Sequence, residues 1–424
     1  MFLRKLKLQN VKSIEQLEIS FLNADEQTRK WTLLLGENGT GKSSVLRSIA
    51  LVMAGSEALP ELLGSSDSWI RIGTDECTIS AELVTADKKQ RDIKLTIRRG
   101  DKVKEIFTRN KETLDLLDRA IDHTARNYLT VGYGVSRRLS EDKGLSRQES
   151  MKNTRAQNVA TMFKPDSVLK PLESWAMDLD YRKPESWRVV KKALNEFLPD
   201  ITFKGIDKER KRMIFKTPDG EIPLMQLSDG YQNVLSWCGD LLYRVTEVFQ
   251  DYRRPLSARG LLLIDEVDLH LHPLWQRKLV DFLNRKLPNF QIIATTHSPL
   301  TAHQTGEGEL FFLKREEKTK SPRLINYEGN PRTLLLHQLL MSPIFGLESA
   351  DSLSVEKLKE EYTALSSQKR LSKASKARVS ELKEKLSDLP EWNYAAPDAD
   401  KHAELLSKIE KALDTNGNKK NPGK

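Results

Sequence analysis

The sequence predicts an α/β fold in which a parallel core sheet is flanked by helices, with a β-rich first lobe before it and a helical C-terminal extension after it. Three observations carry this. A short apolar run at 31–35 ends in the glycine-containing stretch 36–41 and passes into helical character at 42–54. Two later units each run from a helix into a strand, 227–249 into 261–264 and 275–287 into 292–294, and alternation at that spacing implies parallel pairing. The opening residues 2–8 alternate charged and apolar side chains, which reads as a strand outside that scheme.

Taken in order, 17–21 is the hairpin partner of 2–8 across the turn at 10–13. Segments 78–84, 93–97 and 106–108 extend the first lobe as strands, and the lobe is expected to end near 128–133. Residues 137–170 are polar with scattered Gly, Ser and Asn and read as an insertion. Helices at 172–179 and 187–198 follow, then short strands at 201–203, 213–215 and 222–224. Past Ser321 the pattern turns helical, and 355–386 is rich in Lys, Glu, Leu and Ala at helical spacing without a lasting heptad. The tail 416–424 is Gly, Asn, Lys and Pro, too polar to bury a core, and is expected to be disordered. The expected organisation is therefore 1–330 as one α/β domain, with 137–200 as insertion and helical lobe, 331–415 as a helical interaction region, and 416–424 as tail.

Composition narrows the class. No stretch approaches the roughly 18 apolar residues of a membrane span, and 1–9 lacks the continuous apolar run of a secretory leader. Cys77 and Cys238 stand far apart without CxxC spacing, so neither a disulfide framework nor a zinc site is suggested and a reducing cytoplasm fits. The 69 basic against 60 acidic residues give a net charge of +9, compatible with a polyanionic partner. The basic clusters at 182–192, 208–212 and 369–378 read first as solvated helix faces.

Chemistry enters with Gly36-Glu37-Asn38-Gly39-Thr40-Gly41-Lys42-Ser43, which fits the phosphate-binding pattern G-x-x-x-x-G-K-[ST] between a strand and a helix. Glycines let backbone N–H groups turn inward around phosphate, the helix N-terminus adds its positive end, Lys42 reaches the β/γ oxygens, and the Ser43 hydroxyl is offered to Mg²⁺. The strand 261–264 then delivers Asp265 and Glu266 at the C-terminal end, where α/β sheets bind ligands. Asp265 is expected to hold Mg²⁺ through water and Glu266 to polarise the water that attacks the γ-phosphate.

Leu227-Ser228-Asp229-Gly230-Tyr231-Gln232 opens a long helix and resembles the signature of ABC-type ATPases, a class of P-loop NTPase. The resemblance implies a composite site, with Ser228, Gly230 and Gln232 of one chain facing the phosphate-binding residues Gly36, Asn38, Gly39, Thr40, Gly41, Lys42, Ser43 and Ser44 of another. Two ATP molecules would then be sandwiched in a homodimer. Asp229 replaces a small residue of the signature and is expected to point away from phosphate and cap the helix. His297, in Ala294-Thr295-Thr296-His297-Ser298-Pro299, resembles the switch histidine that senses the γ-phosphate. The Asn10-Val11-Lys12-Ser13 turn resembles the opening lobe of the same ATPases, which makes Lys12 and Ser13 candidate nucleotide contacts. The segment 128–138 lacks the glutamine expected after this strand, and Arg137 is the candidate substitute near the phosphates, against the alternative of a surface arginine.

Asp268-Leu269-His270-Leu271-His272-Pro273 resembles the RecF-, SMC- and OLD-like group, where this run lines the dimer interface; as a zinc site it would need two further ligands. No Toprim-type carboxylate set or HNH set is visible, so intrinsic nuclease activity is not expected. The segment 334–349 and the charged helices after it resemble the ATPase subunits of Septu-type and retron antiphage systems, although an amphipathic helix packed on the core would look the same. That resemblance implies a separately encoded HNH-type nuclease as partner and assembly beyond a dimer. Three readings stand: a defence ATPase that scaffolds and regulates a nuclease, with DNA met directly or through the partner; a RecF-like repair ATPase binding DNA itself; and an ATP-dependent scaffold with little turnover.

Overall fold

The computed structural model describes residues 1–85, 89–124, 128–137, 154–167, 169, 172–198, 200–249, 254–316, 321–347, 349, 351–368 and 372–389. Part of the expected insertion, at 138–153, and the expected tail at 416–424 lie outside them. Two compact units divide the chain, Met1–Phe345 and Gly346–Lys424. The boundary thus falls beyond 330, and the short helix Leu336–Leu340 sits in the first unit, where Leu339 is fully buried.

Strand β1 (Phe2–Val11) pairs antiparallel with β2 (Ile14–Ser20). Its buried residues, Leu3, Leu6, Leu8 and Val11, are not strictly alternate, because the register against its other neighbour shifts between Leu3 and Lys5 and a bulge changes which face the next residue meets. After β3 (Trp31–Gly36), the strands β4 (Glu76–Val84) and β5 (Gln90–Arg98) complete an antiparallel sheet of order β2-β1-β4-β5. The expected strand at 106–108 is instead part of the helix Val103–Arg109. Three residues are too few to separate the two periods, and Glu105 settles the matter by accepting from the Lys102 N–H at 2.7 Å, which closes the helix start.

Strand β6 (Tyr128–Tyr133), expected to end the first lobe, belongs to the core sheet. The strands β7 (Thr202–Asp207), β8 (Arg212–Thr217) and β9 (Gly220–Pro223) form their own antiparallel sheet over Phe203, Met213 and Phe215, all buried. With β10 (Arg259–Ile264), β11 (Phe290–Thr296), β12 (Leu310–Arg315) and β13 (Pro322–Asn326), the core sheet has the order β13-β12-β3-β11-β10-β6. Every pair from β12 to β6 is parallel, and β13 runs antiparallel on the edge. Residues 33–35, 261–264 and 292–296 are buried throughout, as strands covered on both faces must be.

Two strands correct the sequence reading, since β12 was not anticipated and β13 lies where helices were expected. The apolar run Leu310-Phe311-Phe312-Leu313 is too short to declare its type. Its identity comes from pairing with β3, Leu313 opposite Gly36. In the second unit the segment 355–386 is two helices, Leu353–Ser366 and Lys373–Ser387, capped by Ser352 and Ser372 and joined by a two-pronged Arg378–Glu361 pair at 2.8 Å for each arm. Among the described residues no helix is long and apolar enough to cross a membrane.

Candidate functional site

The C-terminal ends of β3, β11 and β10 meet at one edge of the core sheet, with Leu35 opposite Thr296 and Ile264 opposite Ala294. From that edge the loop 37–41 leads into the helix Lys42–Met53, whose N-cap, Gly41, has φ 95° and supplies no side-chain hydrogen bond. The first-turn N–H groups are therefore not occupied by a cap, and they present the positive end of the helix. A methyl group at Gly36 would lie 2.5 Å from the Leu313 carbonyl oxygen and 3.0 Å from Thr40 Oγ1, so only glycine lets the loop fold this closely. Thr40 Oγ1 donates to the Glu37 carbonyl at 2.8 Å, tightening the loop from inside.

Lys42 Nζ donates to the carbonyls of Gly36 (2.7 Å) and Glu37 (2.9 Å). Burial pushes its pKa down, opposed by the negative charges of Asp265, Glu266 and Glu37. The same couplings place the ammonium in the field of both expected catalytic carboxylates. Ser43 and Ser44 are half-buried in the first helical turn, and Asn38 and Gly39 lie on the exposed tip. Ser13 packs against the loop, its Oγ 3.4 Å from where a Gly41 β-carbon would stand. Lys12 is half-buried with Nζ 5.2 Å from the centre of the Trp69 ring, and burial followed by the charge of Arg47 lowers its pKa.

Asp265 is buried at the end of β10. Its Oδ1 accepts from Thr295 Oγ1 at 2.7 Å, and the same hydroxyl accepts from the Glu266 N–H at 2.7 Å, so one threonine on β11 fixes both residues. Glu266 adopts φ 48°, a left-handed conformation that a side chain rarely takes without outside support. Arg137, the candidate near the phosphates, is not the surface arginine of the alternative reading. It is buried, and its guanidinium donates to the carbonyls of Gly134 (2.8 Å), Asp265 and Glu266 (2.7 Å). Burial lowers its pKa to about 10, leaving it charged at neutral pH.

The signature segment begins the helix Asp229–Val248 with Ser228 as N-cap. Asp229 is the first helical residue and not the cap; its charge faces the positive helix end, where a carboxylate is favourable. A β-carbon on Gly230 would stand 2.9 Å from the His270 carbonyl oxygen, which brings the signature against the run after the carboxylates. The Gln232 amide donates back to Leu227 (2.7 Å) and Met225 (3.1 Å), holding the entry to the helix. Among the described residues, no hydrogen bond joins Ser228, Gly230 or Gln232 to the phosphate loop. His297 is exposed just past β11, beside Asp268, whose pKa burial raises against the opposing hydrogen bond from the Thr296 hydroxyl. His272 caps the helix Pro273–Lys286, Nδ1 accepting from the Leu274 N–H at 3.3 Å, and among the described residues there is no metal-ligating cluster of three or more His, Cys, Asp or Glu.

Sequence reasoning missed Arg315. Its guanidinium donates to the Gly39 carbonyl at 2.6 Å, bracing the loop tip from the end of β12. The β12–β3 register puts it there, and without β12 no sequence signal pointed to it.

The Septu protein PtuA of Bacillus mycoides (strain KBAB4) is 29% identical over 395 residues, covering 91% of this chain and 50% of that protein. The Retron Ec83 probable ATPase of Escherichia coli is 33% identical over 134 residues, 32% of this chain and 25% of that one. The chain thus spans half or less of the length of these curated relatives. Among solved structures, an SMC head bound to the C-winged helix domain of ScpA aligns over 77% of this chain and 98% of that one, at 14% identity and a TM-score of 0.46. Residues 32–302, from β3 through the carboxylate turn and past His297, match a family model, and the chain belongs to the family it describes: AAA domain, putative AbiEii toxin, Type IV TA system.

Proposed function

We propose that this chain binds and hydrolyses ATP as a subunit of an antiphage defence complex, where it scaffolds and regulates a separately encoded nuclease of the HNH type. The observation that carries the ATPase reading is the meeting, at one sheet edge, of a glycine-shaped anion cradle with Lys42 and the buried Asp265–Glu266 turn. The defence role is supported by the 29% identity to a Septu protein across 91% of the chain.

The cradle's chemistry suits a polyphosphate. Backbone N–H groups of the loop and first helical turn would take the β-phosphate, while Lys42 exchanges its carbonyl partners for β/γ oxygens. Ser43 and Asp265 supply the hard oxygen donors that suit Mg²⁺, whose bound charge would offset that of the γ-phosphate. Glu266 accepts the proton of the attacking water as the bond to the β–γ bridging oxygen breaks, releasing ADP and phosphate. His297, exposed just past β11, would report on the γ-phosphate. Gly230 lies against the His270 carbonyl, the Gln232 amide is engaged by Leu227 and Met225, and among the described residues no hydrogen bond joins the signature to its own chain's cradle, which supports a site completed by a second copy.

Purification of the chain with its genomic neighbours in the presence of ATP, followed by native mass spectrometry, tests the whole reading. The expected species contains two or more copies of this chain with an HNH-type subunit. A lone dimer that gains mass only when duplex DNA is added would replace the defence reading with direct DNA repair.

A further inference from the structure

The backbone at Glu266 is left-handed, so the position of its carboxylate depends on what holds the turn. Thr295 does part of this through the Glu266 N–H and the Asp265 side chain. The rest comes from behind. Successive carbonyls of Asp265 and Glu266 converge on one nitrogen of Arg137, whose Nε is bound to Gly134 and so anchored to the end of β6. Both contacts are to main chain, so Arg137 occupies neither carboxylate.

Arg137 is also tied to the helix that starts at the signature. Ser236 Oγ has the Arg137 carbonyl at 3.1 Å and the Asn233 carbonyl of its own helix at 2.7 Å, its single hydrogen shared between them, and the guanidinium lies 5.8 Å from the centre of the Trp237 ring. One turn further along, Asp240 accepts from the Tyr133 hydroxyl at 2.8 Å and pairs with Arg244 at 2.5 Å, pinning the same helix to β6 a second time. Nη1 of Arg137 is buried without a hydrogen-bond partner among the described residues. A cation buried with one arm unsatisfied is a poor stabilising device, which points to a role in geometry.

We propose that Arg137 is a positioning residue for hydrolysis, fixing the Asp265–Glu266 turn through its carbonyls and linking it to the signature helix Asp229–Val248. The inference rests on the ATPase reading above. Movement of the signature helix on pairing with a second copy would be passed to Glu266 through Ser236, Trp237 and Arg137.

The test uses the full chain, with Arg137→Lys as the main variant because lysine keeps the charge but lacks the planar fork that spans several acceptors. Steady-state turnover and the affinity for a fluorescent ATP analogue are measured side by side, with melting temperature as the folding control. Arg137→Lys is expected to lower kcat about a hundredfold, as for a small misplacement of a reacting group, with nucleotide affinity within about threefold of wild type. Ser236→Ala, which loosens the helix end of the link while leaving the guanidinium in place, is expected to lower kcat about threefold; it carries the test if Arg137→Lys does not fold. Unchanged kcat in either folded variant overturns the proposal. So does a parallel loss of affinity and turnover, which would make Arg137 a nucleotide contact. Absence of turnover in the wild type would instead sink the ATPase reading itself.

Discussion

The phosphate cradle and the carboxylate turn share one edge of one sheet and are built in opposite ways. The cradle is shaped mostly by its own consecutive residues: Gly36 and Gly41 admit the fold, Thr40 ties the loop to Glu37, and Lys42 folds back on Gly36 and Glu37. The turn at Asp265 and Glu266 is held from afar, by Thr295 about one βα unit later and by Arg137, 128 residues earlier. Locally built sites tolerate change elsewhere in the chain, whereas a turn held by distant partners responds to whatever moves those partners.

Three substitutions act on the two halves separately. The largest effect belongs to Glu266→Gln, which keeps the shape of the turn and removes the proton acceptor: turnover should fall about a thousandfold with nucleotide still bound, measured as phosphate release beside analogue binding. Retained turnover would mean that the turn does not supply the base. Gly36→Ala should act on the other half, lowering nucleotide affinity about a hundredfold, because the new methyl group meets the Leu313 carbonyl and displaces loop donors. Equilibrium binding checks it, and wild-type affinity would show that the cradle is less tightly templated than its contacts indicate. Thr295→Val is the smallest of the three and the most discriminating. It removes one hydroxyl bridge of about 1 kcal/mol and should lower kcat roughly fivefold while leaving affinity alone. A loss confined to affinity would place Thr295 with the cradle and erase the distinction.

The same contrast explains what could be read from the sequence. The cradle was legible because its residues are consecutive and their spacing is dictated by phosphate geometry; Asp265 and Glu266 were legible because a fully apolar strand delivers them. The supports were not. Arg137 looked like a cation for phosphate, and nothing local reveals that its partners include main-chain carbonyls 128 and 129 residues away. Arg315 was invisible because β12 was, a run of four apolar residues whose type is fixed only by lying beside β3. Ile106 sat in a window too short to separate helix from strand, and the Glu105 cap lay outside that window. The signature was readable as a motif, but that Asp229 opens the helix while Ser228 caps it is a difference of one position.

Lys42 has a further consequence. Its ammonium is already engaged by two carbonyl oxygens, so an arriving anion must compete for it. A single phosphate group offers few oxygens and little gain over those partners. Under the proposed function, a nucleoside triphosphate would engage the loop N–H groups and the lysine together, and the joint gain would exceed what is surrendered. The loop would then act as a threshold against the abundant small phosphates of a cell, admitting the ligand whose several charged groups arrive on one chain.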